Sequence, residues 1–144
     1  MIRVETSTEV TPELLDAMNR LIPQLSSSAQ PLEKDSLERV VHSEAAHLLV
    51  AYDEDGEIVG SMTLIVFAIP TGIRAWVEDV VVDENARGKG VGAALNNQAL
   101  DIARDAGAKT VDLTSRPSRE AANRLYQRLG FVPRETNVYR FDIT

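Results

Sequence analysis

The stretch from 78 to 100, EDVVVDENARGKGVGAALNNQAL, restricts what this chain can fold into more than any other. Val80, Val81 and Val82 end a run with the composition of a buried strand. A short loop then alternates Gly88, Gly90 and Gly92 with Lys89 and Val91, and helix-favouring residues follow at once. Glycine gives up side-chain packing and enlarges the entropy of the unfolded chain, so this spacing marks a place where bare backbone is needed. A helix opening there presents free N–H groups and the positive end of its dipole, and glycine lets a phosphate come close to the main chain. Arg87 and Lys89 add positive charge at the same spot. The segment reads either as an anion cradle between a strand and a helix or as a surface loop whose glycines only turn the chain.

Two known phosphate loops compete for it. A nucleoside-triphosphate loop requires Ser or Thr after Gly-Lys, and Gly90 follows Lys89 here, so that reading fails. Gly88-x-Gly90-x-x-Ala93 fits the dinucleotide fingerprint, with Asp112 about twenty residues on. Against it, Asp83 to Arg87 intrude between the strand and the first glycine, where the dinucleotide fold turns tightly. Only one further strand–helix unit follows, too little for a doubly wound sheet.

The rest of the chain supplies an α/β order. Ile2–Thr6 reads as a strand, and Thr11-Pro12-Glu13 as an N-cap, first helical position and acidic first turn before Leu14, Ala17, Met18, Leu21 and Ile22 at helical spacing. A second helix is predicted over Pro31–Ser43. His47–Tyr52, Glu57–Phe67 and Arg74–Val82 read as antiparallel strands, the first two joined by Asp53-Glu54-Asp55-Gly56. A helix from Gly90 to Ala106, a strand Thr110–Thr114, a helix Ser118–Leu129 and strands Phe131–Pro133 and Tyr139–Ile143 follow. The expectation is one domain over residues 1–144, a mixed, mostly antiparallel sheet of about seven strands flanked by about four helices.

Composition narrows the function classes. With 144 residues the chain suits one domain,. It has no cysteine, so disulfides, thiolate zinc sites and cysteine nucleophiles are excluded,. His42 and His47 lie apart from every motif, and no metal is expected. The net charge of −7 argues against nucleic acid, whose phosphates need a basic footprint,. That charge is uneven: the first 72 residues carry −8 and the last 72 carry +1. An anionic ligand therefore belongs to the second half. The opening MIRVETSTEV holds no long apolar run, so neither a signal peptide nor a membrane span is expected and a cytoplasmic location is the default,.

Arg87-x-x-Gly90-x-Gly92 after the valine strand, together with Leu125-Tyr126-Gln127-Arg128-Leu129-Gly130-Phe131, resembles the GNAT superfamily of N-acetyltransferases, which transfer acetyl from acetyl-coenzyme A to amines. The element order resembles that fold over nearly the whole chain. The resemblance implies that the backbone from Gly88 to Gly92, with Arg87, Lys89 and Val91, holds the pyrophosphate of coenzyme A. It implies too that Val80, Val81 and Val82 lend main-chain hydrogen bonds to the pantetheine arm, that Asn123 bonds the same arm, and that Tyr126 donates a proton to the departing sulfur. Read from its own surroundings, Tyr126 sits with Ala122, Leu125 and Leu129 on one apolar helix face, the pattern of a core tyrosine.

Glu78 lies on the strand leading to the cradle, and alternation puts it on the same face as Trp76, Val80 and Val82, with Asp79 on the other. A carboxylate there can take the amine proton, directly or through water, or can anchor a cationic substrate. A backbone N–H near Val80 is the expected oxyanion donor. With no cysteine, the expected route is direct attack on acetyl-coenzyme A in a ternary complex. The acidic N-terminal half suits a cationic amine acceptor. The competing reading is a noncatalytic acyl-coenzyme A-binding or regulatory module, which would need Arg87 to Gly92 but not Glu78 or Tyr126. The final strand, with Val138-Tyr139-Arg140-Phe141, offers an edge through which a homodimer can form.

Overall fold

Arg3–Thr6 (β1), Ala46–Tyr52 (β2), Ile58–Ile69 (β3), Gly72–Val82 (β4) and Val111–Asp112 (β5) form one sheet in that order in a computed structural model that describes residues 1–144. The first four strands pair antiparallel, and β5 pairs parallel with β4. The helices are Pro12–Leu25 (α1), Lys34–Val41 (α2), Val91–Asp105 (α3) and Glu120–Leu129 (α4). The residues divide into two units, 1–114 and 115–144.

In residues 1–114 the sheet is covered on both faces. Thr11 caps α1 by accepting from the Leu14 N–H at 3.1 Å, and Pro12 follows at the first helical position, where its missing donor costs nothing,. The helix buries Leu14, Ala17, Met18 and Leu21, joined by Leu37 of α2, against Leu48, Val50, Ile58 and Val81. Each such leucine or methionine contributes about 1.5–3 kcal/mol on burial. On the opposite face α3 lays Val91, Leu95, Ala99 and Ala103 over Leu49, Ala51, Met62, Leu64, Ala75 and Val77. Gly60 lets α3 start close to the sheet: a Cβ there would stand 2.7 Å from Val91 Cγ1 and 3.1 Å from the Val81 carbonyl oxygen. The β2–β3 turn is tied by Asp53, whose Oδ1 accepts from the N–H groups of Asp55 and Glu57, both at 2.9 Å,.

In residues 115–144, α4 ends at Gly130, and the Phe131 N–H returns to the Tyr126 carbonyl at 2.9 Å,. The Phe131 ring meets the Tyr126 ring edge-on with centroids 5.7 Å apart,.

The expected seven strands are corrected to five. Phe131–Pro133 and Tyr139–Ile143 form no strand, and Thr110–Thr114 shortens to the two residues of β5. Alternation of apolar and polar residues becomes a strand only when a neighbouring ladder takes its N–H and C=O groups, and these two segments join none. Val138, Tyr139, Phe141 and Ile143 stand exposed. No helix is long and apolar enough to cross a membrane.

Candidate active site

The cradle takes shape after β4. Glu84–Ala86 make one 3₁₀ turn, Arg87 is extended, and α3 begins at Val91 with Gly90 as its N-cap. Gly88 and Gly90 have φ of +78° and +83°, a region that residues with a Cβ avoid,. Nothing lies within 4 Å of where a Cβ would stand on either, so the space over the backbone is open. No side chain caps α3 and no acid sits in its first turn. The first amides of the helix thus keep their donors free. Arg87 and Lys89 are exposed and join no ion pair. Bare backbone, free amides and two unpaired cations fit a pyrophosphate.

β4 itself departs from simple alternation. Glu78 stands opposite Thr63 and Val81 opposite Ser61, so the single residue between them on β3 faces both Asp79 and Val80. This is a β-bulge, and Asp79 takes the left-handed conformation at φ +51°, which aspartate tolerates better than most residues,. The bulge exchanges the faces of the strand. Ala75 and Val77 before it, and Val80 and Val82 after it, pack on the α3 side, whereas Val81 packs on the α1–α2 side. Glu78 keeps the face of Trp76 but not that of Val80 and Val82, which corrects the alternation argument. The Trp76 indole Nε1–H donates to Glu78 Oε2 at 2.6 Å, holding the exposed carboxylate in place with Oε1 uncommitted. β5 pairs only with Ala75 and Trp76. Beyond them that edge of β4, including Val80 to Val82, has no strand partner, so main-chain groups there are available to a ligand.

A set of residues without motif status holds the approach to the cradle. Asp83 is 9% exposed; its Oδ1 accepts from the Asn85 N–H at 3.1 Å, and its Oδ2 lies 3.6 Å from the Arg20 guanidinium. Gln24 Oε1 accepts from the Glu84 N–H at 2.9 Å. Sequence reasoning missed Arg20, Gln24 and Asp83. A helical side chain and a backbone N–H 60 residues away share no pattern that could reveal the pair.

In residues 115–144, Tyr126 is buried at 7% exposure. Burial raises its hydroxyl above the ordinary tyrosine pKa, opposed by the charge of Arg119, so it stays a proton donor through the neutral range,. Asn123 is partly committed: its Nδ2 donates to the Arg116 carbonyl at 2.9 Å, tying the loop before α4. No group of three or more His, Asp or Glu side chains gathers to hold a metal.

The profile of the Acetyltransferase (GNAT) family matches residues 13–131. N-alpha-acetyltransferase 30 of Schizosaccharomyces pombe is 27% identical over 113 residues, 78% of this chain and 75% of that protein. Mycothiol acetyltransferase of Beutenbergia cavernae is 35% identical over 85 residues, 59% of this chain and 28% of that protein. The match thus spans little more than a quarter of the latter's length. Among solved structures, a putative acetyltransferase from Agrobacterium tumefaciens superposes with a TM-score of 0.85 at 22% identity, covering 97% of this chain and 99% of the other. An aminoglycoside acetyltransferase from an uncultured soil metagenomic sample superposes with a TM-score of 0.81 at 18% identity, over 99% of this chain and 96% of the other.

Proposed function

Because the chain belongs to the acetyltransferase (GNAT) family, we propose that it is an N-acetyltransferase acting on a primary amine, with acetyl-coenzyme A as donor and direct transfer in a ternary complex. The observation that carries the reading is the cradle: two left-handed glycines with open space above them, at the uncapped start of α3, beside Arg87 and Lys89. Gly88 to Gly92 bind the pyrophosphate, and the unpaired edge of Val80 to Val82 meets the pantetheine arm, with Asn123 adding a side-chain contact through its free oxygen. Acetyl-coenzyme A, when bound, supplies an acetyl thioester.

The chain's own residues then do three things. Glu78 takes the amine proton at Oε1, the oxygen that Trp76 does not hold,. A main-chain N–H near Val80 stabilises the oxyanion. Tyr126, kept protonated by its burial, returns a proton to the leaving sulfur,. The amine approaches Glu78 from the α1–α2 side of the sheet, and the acidic first half of the chain favours a cationic acceptor,. Residues 1–144 act as one acetyltransferase domain, a reading supported by the family match across both units.

Calorimetry with acetyl-coenzyme A, followed by thiol release against a panel of cationic and neutral primary amines, tests this. Cofactor binding with amine-dependent release of coenzyme A is the expected result. Binding with no release from any amine would make the chain a noncatalytic acyl-coenzyme A module, and tighter binding of NAD would favour the dinucleotide reading.

A further inference from the structure

We propose that Gln24, seconded by Arg20, is a positioning residue for the anion cradle, fixing from α1 the turn that delivers Arg87 to Gly92. The inference rests on the cradle being the acetyl-coenzyme A site. Between the end of β4 and the first glycine the chain has only the 3₁₀ turn of Glu84–Ala86 as local structure. Three residues of 3₁₀ helix cannot hold a loop in one place by themselves. The turn is held from outside. Gln24 accepts from the Glu84 N–H at 2.9 Å, and its own Nε2 lies 3.3 Å from the Arg20 carbonyl, so the side-chain amide is anchored at both ends. Arg20 reaches past it to pair with Asp83 and to donate to the Ile58 carbonyl, joining α1, the start of β3 and the end of β4.

These bonds act before the ligand arrives. A loop already ordered in its binding conformation gives up less conformational freedom on binding, so its contribution shows in ligand affinity. Gln24 touches none of the cradle residues through these bonds; it sets where they begin. The Gln24–Glu84 bond is exposed, so the effect is that of one solvated hydrogen bond rather than of a buried network.

The test compares Gln24→Met, which keeps length and apolar stem but loses the acceptor, with Gln24→Glu, which keeps an oxygen facing the Glu84 N–H. Measurements are made in about 0.15 M salt, where added surface charge is largely screened. Gln24→Met is expected to raise the Kd and KM for acetyl-coenzyme A by roughly 3- to 10-fold, with kcat, amine KM and melting temperature unchanged. Gln24→Glu should return both constants to within about twofold of wild type. Wild-type affinity in Gln24→Met would overturn the inference and leave the cofactor reading standing. So would a lowered melting temperature with full affinity, which marks a purely structural role, or equal weakening in both variants, which shows that the oxygen is not what matters. A wild-type protein that binds no acetyl-coenzyme A would remove both readings together.

Discussion

Glu78 and Tyr126 are held by opposite means, and their variants are expected to behave differently. The Glu78 carboxylate is exposed and steered by a single bond from Trp76. Glu78→Gln keeps an oxygen for the indole and loses the negative charge and the ability to take a proton. Steady-state kinetics are expected to show turnover falling by roughly 10²-fold with acetyl-coenzyme A affinity intact, the deficit shrinking at high pH, where free amine is abundant. A raised amine KM with full turnover would make Glu78 an anchor for the acceptor instead. Tyr126 is fixed by burial and by the Phe131 ring. Its folded-state pKa is raised, so the folded chain holds that proton more tightly than the unfolded chain does. The associated stability is fully present below the ordinary tyrosine range and is lost as pH climbs through the raised value. Tyr126→Phe should therefore lower turnover by about 10²-fold while changing stability near neutral pH by no more than about 1 kcal/mol, and should remove that part of the alkaline loss. Melting curves across pH and turnover on the same protein check both halves.

Among the elements, α3 depends on the absence of a side chain at Gly60. Adding a Cβ pushes on Val91 Cγ1, a stiff branched group in the residue directly after the N-cap,. Gly60→Ala is expected to cost about 1–3 kcal/mol of stability and to weaken acetyl-coenzyme A binding by displacing the start of the helix. Val91→Ala in the same protein should recover part of both, measured by denaturant titration and calorimetry. Elements with their own chemical punctuation were legible in the sequence. Thr11-Pro12-Glu13 set the start of α1, the apolar runs on either side of Asp53 to Gly56 gave the β2–β3 hairpin, and the glycines marked the start of α3. What depends on partners was not. The alternation from Trp76 to Val82 is unbroken in the letters, yet a backbone dihedral at Asp79 reverses its second half. Val138 to Ile143 alternate as an edge strand would, yet no ladder receives them. The cradle was read from its own residues, whereas the α1 contacts behind it, spanning 60 positions for Gln24, have no local signature.

For the whole molecule, the division at residue 114 bears on how it unfolds. Residues 115–144 contain one helix and a tail without regular structure, below the roughly 40 residues that usually sustain a fold without disulfides or metals,. They are expected to melt together with residues 1–114 in a single calorimetric transition; a separate low-temperature transition would show that they behave independently. Acetyl-coenzyme A at about a hundred times its Kd should stabilise the folded chain by roughly 2.7 kcal/mol and move that transition upward as one.

The bulge at Asp79 also sets which changes in length β4 can survive. Deleting that one residue would remove the bulge and restore strict two-residue parity, leaving Val80 and Val82 on the α3 side and Val81 on the α1–α2 side,. Inserting one further residue there would instead send Val80 and Val82 towards α1 and Val81 towards α3, rewriting two buried faces,. A point substitution at 79 perturbs one dihedral and a deletion there removes the bulge, whereas an insertion acts as a frameshift in space. Viable length variation in this strand is therefore confined to the bulge residue itself, to steps of two, or to the solvent-facing turn beyond Ile69.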